Sequence, residues 1–497
     1  MNFNIQHTIE QNAVKGNYLN SIAVTHKKNT KKINKITYNE LFFLINNVSN
    51  HLLKLKIKPQ DKILLSTQNS LNFIITFLGA IKIGIIPIPG NPELNNEQTN
   101  HIISDSNPKL IIADKVKKNN KVNNIIYFKN KEWIKSLKTK YEKNSNFYKP
   151  KNKDYAFIIY SSGTTGKPKG IVHRHQSIIN TTNLHKNILK LKINDKIFTT
   201  SKLFFAYALG NNLFAPLILG LNSIFDDTDI KFINISNIIK YLQPKIIFSV
   251  PTMYRRILRN KEENISLLRK IKHYVSAGER IPNILYQDWK NSIRYPLLNC
   301  YGTTETLAIV IATRPKFEKI GSTGKPITGI KTKLISKNKI LSNNNGILHI
   351  KHDGFSKEYL NNTNKNKKTF KSGWINTGDI WTIKNNYWYF EGREDDLIKV
   401  ASKWVNPKEI ERKAIKIVGV LDAFCITARS KDDTNRLALF LYTKNKEDKK
   451  ILKNIDNNIK SLPNYKKPYW IKIIHSLPQT ATGKIKKNTL KKLIEKK

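Results

Sequence analysis

The 497-residue chain holds only two cysteines, Cys300 and Cys425, far apart in sequence. That excludes a disulfide framework and a cysteine-rich zinc site. Acidic residues are scarce, 36 against 87 lysines and arginines, and the formal net charge is +51. Within that excess arginine is rare: 12 residues against 75 lysines. Nucleic-acid surfaces favour arginine for bidentate contacts to phosphate and guanine. The lysines are dispersed, in runs such as "KVKKNNK" (Lys115–Lys121) and "NKNKK" (Asn364–Lys368) that read as solvated loops. Lys, Asn and Ile share A- and T-rich codons, so base composition accounts for the charge and nucleic acid is not an expected partner. Long apolar runs are also missing. The longest, "FIITFLGAIKIGIIPIPG" (Phe73–Gly90), is broken by Lys82 and two prolines and is barely long enough to cross a bilayer. It reads as a buried helix followed by a buried strand, with no membrane span. The opening "MNFNIQHTIEQNAVKGN" lacks the apolar core of a secretory signal, and a cytoplasmic protein is the expectation.

What is present suffices for a large core. Hydrophobic residues make up 39% and aromatic residues 10% of the chain, over a length that suggests roughly two to four domains or subdomains. Helical and strand patterns alternate. "YNELFFLINNVSNHLLKL" (Tyr38–Leu55) carries apolar residues at helical spacing, and "KILLST" (Lys62–Thr67), "KLIIAD" (Lys109–Asp114) and "NIIYF" (Asn124–Phe128) read as short buried strands. "PKIIFSVP" (Pro244–Pro251) and "KHYVSAGE" (Lys272–Glu279) continue the series. This alternation predicts an α/β fold with mostly parallel sheets. From about Gly321 short strands dominate, which predicts a small β subdomain. Charges cluster at "EGREDDLIKV" (Glu391–Val400). A boundary there gives a large N-terminal domain, residues 1–394, and a small mobile α+β C-terminal domain, residues 395–497.

Between the strand "YAFIIY" (Tyr155–Tyr160) and the next apolar run lies "YSSGTTGKPKG" (Tyr160–Gly170), rich in glycine, hydroxyls and lysine. Glycines let backbone N–H groups converge, hydroxyls add short donors, and lysines supply point charges. That is phosphate-cradle chemistry. It is not the G-x-x-x-x-G-K-[ST] loop: Ser161 stands where the first glycine belongs, and Pro168 where the metal-binding hydroxyl belongs.

The loop resembles the phosphate-binding signature of the adenylate-forming superfamily, which includes acyl- and aryl-CoA ligases, luciferases and carrier-protein adenylation domains. Four further elements occur in family order: "NCYGTTET" (Asn299–Thr306), "NTGD" (Asn376–Asp379), "GREDDLIKV" (Gly392–Val400) and "PQTATGKIKK" (Pro478–Lys487). "KLFFAYALGNNLFAPLILG" (Lys202–Gly220), "SVPTMYRRIL" and "KWVNPKEIE" are similar to benzoate–CoA ligase and its aryl- and short-acyl-CoA ligase relatives.

The resemblance implies an AMP-forming acid–thiol ligase that uses ATP, Mg²⁺ and CoA. Ser161, Ser162, Gly163, Thr164, Thr165 and Lys169 are then expected to hold the β- and γ-phosphates. Ala277, Gly278 and Glu279 line adenine, and Tyr301 and Gly302 belong to the same nucleotide site. Glu305 holds Mg²⁺, with Thr304 beside it near the α-phosphate. Asp379 accepts the ribose hydroxyls, supported by Arg393. Lys484 contacts the acid carboxylate and the α-phosphate during adenylation. Asp395 is the hinge about which the C-terminal domain turns for thioester formation. Phe205, Ala206, Tyr207, Gly210, Gly302, Ala308 and Ile309 form the acid pocket, and Lys399, Ala401 and Ser402 border the CoA channel.

Two departures from the family's wording matter. Ser402 replaces a glycine where the pantetheine arm passes. Ala308 stands where benzoate ligases carry histidine, so the pocket is expected to take a compact aryl or short acyl acid. Two alternatives stand beside CoA ligation: delivery of the acyl group to a separate carrier protein's thiol, and, in a different class, a basic nucleic-acid-binding protein on a degenerate enzyme fold.

Overall fold

The computed structural model describes residues 3–28, 32–114, 125–128, 133, 135, 137, 147–161, 168–226, 235–259, 265–335, 344–394, 398–400, 403–430, 435–443, 451–452, 455, 459, 462–478 and 487–495. The fold is mixed α/β, built on a large, mostly parallel sheet accompanied by smaller ones. The chain divides into two compact units. The first comprises Met1–Ile335, Leu348–Thr377 and Ile383–Tyr389; the second comprises Ser336–Ile347, Gly378–Thr382 and Phe390–Lys497.

In the first unit a nine-stranded sheet runs in the order Lys325–Pro326, Ile311–Ala312, Leu297–Tyr301, His273–Ser276, Ile246–Ser249, Lys196–Thr199, Asn222–Asp226, Ile22–Lys28, Lys32–Thr37. The six strands from Leu297–Tyr301 to Ile22–Lys28 are mutually parallel, and the outer strands on each side are antiparallel. A second sheet of Ile86–Gly90, Lys62–Ser66, Leu110–Ala113 and Ile125–Tyr127 is wholly parallel. Parallel strands of this kind are buried on both faces and need near-continuous apolar sequence, which is why "KILLS" and "IIFS" read as strands from composition alone.

The helices start where their side chains can cap them. Thr37 and Glu40 form a reciprocal capping box at the head of helix Tyr38–Lys54, and Ser70 caps helix Leu71–Lys82, satisfying amides that the first turn leaves without partners. Every residue of the latter helix from Phe73 to Lys82 is buried. Lys82 tolerates this because its ammonium donates to Asn46 Oδ1 at 3.1 Å and lies 4.7 Å from the centre of the Phe147 ring. Among the described residues no helix is long and apolar enough to cross a membrane.

The expected β subdomain is a five-stranded sheet of Lys331–Ile335, Asn345–Lys351, Trp374–Lys384 and Phe370–Lys371, with Tyr387–Arg393 beside Trp374–Lys384; the division into units falls inside it. One local expectation is corrected here. Asn364–Lys368 is not a loop but most of a helix, Thr363–Thr369, whose first turn is capped by Asn362. Its lysines still face solvent to varying degrees, and the capping side chain supplies what the lysine-rich composition does not.

The second unit carries a sheet in which Asp422–Arg429 pairs antiparallel with Asn435–Tyr442, and Trp470–Ile474 lies parallel on the other side. Helix Pro407–Ala414 packs on it. Buried Glu411 of that helix accepts from the Cys425 amide at 3.0 Å and from Lys408 at 2.6 Å.

Candidate active site

The phosphate-loop sequence connects two antiparallel strands. Phe157–Ser161 pairs with Lys169–His173, and the last pair before the loop is Ser161 with Lys169. Ser162, Gly163, Thr164 and Thr165 lie outside the described residues. The far end of the loop is fixed: Pro168 O lies 2.8 Å from His101 Nε2. Gly170 pairs with Tyr160, whose hydroxyl donates to Asp105 Oδ2 at 2.6 Å. Lys169 is thereby held between two anchored neighbours, with its side chain free to choose a partner.

That partner is Glu305. The Lys169 ammonium lies 2.9 Å from Glu305 Oε1. Tyr359 completes a triangle. Its hydroxyl donates to Glu305 Oε1 at 2.8 Å, and Lys169 donates to the same hydroxyl at 2.9 Å. The ammonium also sits 4.1 Å from the centre of the Tyr359 ring, where the ring's negative face attracts a cation. Burial alone would raise the Glu305 carboxyl. The Lys169 charge and the two donors outweigh it and hold the group at about 2, so the carboxylate stays ionised throughout the physiological range. Beneath it, fully buried His173 is pushed down to about 4 by desolvation and is neutral.

Glu305 reaches this place through a tight turn. Strand Leu297–Tyr301 ends, and the Thr306 hydroxyl then donates to Thr303 O at 2.9 Å and lies 2.8 Å from Ala308 O while accepting from the Thr303 amide at 3.1 Å. Glu305 lies in this turn and does not start a helix. Leu307 adopts φ +56°, a left-handed conformation that a leucine occupies only under constraint. The constraint is visible: a Cβ on Gly210 would collide with the Leu307 carbonyl oxygen, and one on Gly302 would come within 2.5 Å of the Ala308 carbonyl oxygen. These two glycines are required by the close approach of backbone to backbone.

The same approach assembles the expected acid-pocket residues. Tyr207 and Gly210 lie on the helical segment running from Ala206 to Leu219, which is π-helical over Leu209–Phe214. Gly210 brings that segment against Leu307, next to buried Ala308 and Ile309. The Tyr207 hydroxyl lies 3.3 Å from both Ser249 O and Val275 O, and burial raises its pKa well above the ordinary tyrosine value. Ala206 is buried and Phe205 half-buried just before it. Ala277, Gly278 and Glu279 follow strand His273–Ser276, and the Ala277 amide donates to Ser249 O at 3.2 Å. Ala277–Glu279, Tyr301–Gly302 and the Tyr207 hydroxyl therefore gather at the carboxyl ends of neighbouring parallel strands, the edge at which open α/β sheets hold ligands.

In the second unit Asp379 is buried on strand Trp374–Lys384, and Arg393 Nε lies 3.4 Å from its Oδ1. The "TGD" sequence lies within that strand. Asp395, Ala401, Ser402 and Lys484 lie outside the described residues, and Lys399 is placed only by its backbone pairing with Trp404.

Glu305 suits a divalent cation of the magnesium type: one ionised carboxylate, to be joined by phosphate oxygens and water. Among the described residues there is no group of three or more His, Cys, Asp or Glu that would form an all-protein metal cage, as magnesium bound with a nucleotide does not need one.

Sequence reasoning missed Tyr359. Nothing in "FSKEYLNN" marks it. It is brought in by main-chain pairing: Tyr359 bridges to Ile171, the Leu360 amide donates to Gly170 O at 2.8 Å, and the Ser356 amide donates to Glu305 O at 2.9 Å.

Comparison with known proteins identifies the family. The family model described as AMP-binding enzyme matches residues 10–360. The chain is 28% identical to the 3-hydroxybenzoate–CoA/4-hydroxybenzoate–CoA ligase of Thauera aromatica, over 93% of this chain and 92% of that one. It is 29% identical to the benzoate–CoA ligase of the same organism, over 92% and 90%. The crystal structure of an anthranilate CoA ligase in complex with anthranoyl-AMP shares the fold with a TM-score of 0.85 at 25% identity, covering 99% of this chain and 97% of that one. With the family model matched over most of its length and CoA ligases related to it nearly end to end, the chain belongs to the AMP-binding enzyme family.

Proposed function

We propose that the protein is an ATP-dependent acid–CoA ligase acting on a small aryl or short acyl carboxylic acid. The observation that carries the reading is the junction of Lys169, at the end of the phosphate-loop hairpin, with an ionised Glu305. A cation for phosphate, on the hairpin, and a carboxylate for a divalent ion, in the turn after strand Leu297–Tyr301, are thereby paired.

The reaction has two halves. In the first, a carboxylate oxygen of the acid attacks the α-phosphorus of ATP, and the bond from that phosphorus to the bridging oxygen breaks, releasing pyrophosphate. In the second, the CoA thiol loses its proton and adds to the acyl carbon, and the bond to AMP breaks. Lys169, with Ser161, Ser162, Gly163, Thr164 and Thr165, neutralises the β- and γ-phosphates as the leaving group gathers charge. Ala277, Gly278 and Glu279 border adenine, and Asp379, with Arg393 beside it, orients the ribose. Glu305, with Thr304 next to it, would hold Mg²⁺, which supplies charge neutralisation on the phosphates when bound. Tyr207, Gly210, Ala308 and Ile309 shape the acid pocket. Gly302 keeps the Tyr301 strand end close enough for acid and nucleotide to meet.

Lys484 neutralises charge at the α-phosphate in the first half-reaction only, and a turn about Asp395 replaces it with the Lys399–Ser402 segment for the second. The domain division at residue 395 is part of this reading. Lys484→Ala tests it. Acid-dependent pyrophosphate exchange should fall by about 10²–10³, the loss typical of one preorganised transition-state group, while thioester formation from a supplied acyl-adenylate persists. Equal loss of both halves would reject the two-state arrangement.

A further inference from the structure

Resting on the reading above, we infer that Lys169, Glu305 and Tyr359 form an exchange unit: the free enzyme keeps its phosphate-binding cation and its metal-binding carboxylate on each other, and Tyr359 is the positioning residue that holds the carboxylate in place while they part.

The geometry defines the problem. Lys169 cannot spend its ammonium on Glu305 at 2.9 Å and on a phosphate at full strength together. Glu305 Oε1 already carries two donors. A nucleotide arriving without a cation would pull Lys169 away and leave a largely buried carboxylate facing phosphate. A cation arriving alone would meet an oxygen already neutralised by lysine. When both arrive, each half of the opened pair gains a new partner of opposite charge. Phosphate and divalent cation therefore bind with strong positive coupling, and each alone binds weakly.

Tyr359 makes the exchange repeatable. Its main chain is clamped: its amide donates to Asn366 Oδ1 at 2.7 Å, and its carbonyl accepts from Asn366 Nδ2 at 3.0 Å. Its side chain is almost fully buried. The phenol is thus fixed, while the long lysine side chain is the mobile member. With its single proton directed to Glu305 and its lone pair to Lys169, the hydroxyl keeps one donor on the carboxylate after the lysine leaves. A carboxylate that retains a charge-assisted hydrogen bond stays in one rotamer.

The test is ATP binding by calorimetry on the full-length protein, in EDTA and with magnesium, for wild type, Glu305→Gln and Tyr359→Phe. Glu305→Gln removes the opposite charge that holds Lys169 and leaves it only weaker, neutral partners, so it should bind ATP in EDTA about tenfold more tightly than wild type, although its response to magnesium is lost. Tyr359→Phe keeps the ring and removes only the hydroxyl. It should weaken ATP binding in magnesium by about ten- to a hundredfold and raise the KM for ATP while leaving the KM for the acid unchanged, with the thermal midpoint confirming a folded protein. Metal-free binding by Glu305→Gln that is no tighter than wild type, or magnesium-dependent binding by Tyr359→Phe equal to wild type, would overturn the inference. A wild type that binds no ATP under either condition would instead overturn the ligase reading on which it rests.

Discussion

The Lys169–Glu305 pair gives the sharpest energetic expectation. Consider Lys169→Met, Glu305→Gln and the double substitution. Breaking a deeply buried pair by removing one partner costs about 3–5 kcal/mol, whereas an exposed pair is worth about 0–1 kcal/mol. The Lys169 and Glu305 side chains retain 19% and 13% of their exposure, closer to the buried limit. Lys169→Met leaves the carboxylate with only the Tyr359 hydroxyl among its two side-chain donors, and should destabilise by about 2–3 kcal/mol. Glu305→Gln leaves an ammonium with an amide oxygen and the Tyr359 ring, a smaller loss of about 1–2 kcal/mol. The double variant removes both charges, and its loss should fall short of the sum by about 2 kcal/mol. Urea unfolding at pH 7, followed by tryptophan fluorescence, measures all four corners of the cycle. A coupling below about 0.5 kcal/mol would place the pair with ordinary surface pairs and refute the claim that burial makes each group depend on the other.

Gly210→Ala should destabilise the protein by about 1–3 kcal/mol, the usual cost of overpacking, because its Cβ meets the Leu307 carbonyl and no flexible side-chain end; the thermal midpoint reads this, and a change in relative activity across acids of different size should accompany it. Acid should weaken the fold through buried histidines. Burial pushes His175 and His185 down to about 4 from 6.5. The unfolded chain therefore binds more protons than the native one between these values, so the stability present above pH 6.5 is lost as pH falls toward 4. Each contributes up to about 3 kcal/mol. A thermal midpoint that stays flat from pH 6.5 to 4.5 would contradict this.

Much of this architecture could be read before any coordinates. Apolar runs bounded by turn residues mark the parallel strands, and Thr37 with Glu40 marks a helix start, because these signals act over a few residues. Lys169 and Glu305 were legible as well, each through its own motif, although they are 136 positions apart. Their contact was not legible, and neither was Tyr359, since nothing local distinguishes a tyrosine that reaches a distant carboxylate from one that only fills a core. Gly210 could be placed near the pocket, but its reason lies in the Leu307 backbone, which comes from elsewhere in the chain. The π-helical turns Leu184–Ile188 and Leu209–Phe214 left no trace in apolar spacing. They are set by packing, with the His185 ring lying 3.0 Å from Asn211 O across the two segments.

The central claim is that the chain joins a small carboxylic acid to CoA through an acyl-adenylate. Pyrophosphate release from ATP, followed across a panel of aryl and short acyl acids with and without CoA, tests it directly. Release should depend on the acid, hydroxybenzoate-sized or smaller acids should lead the panel, and CoA should convert single-turnover release into sustained turnover with thioester and AMP as products. Release independent of any acid, or none across the whole panel from a folded protein that binds ATP, would contradict it.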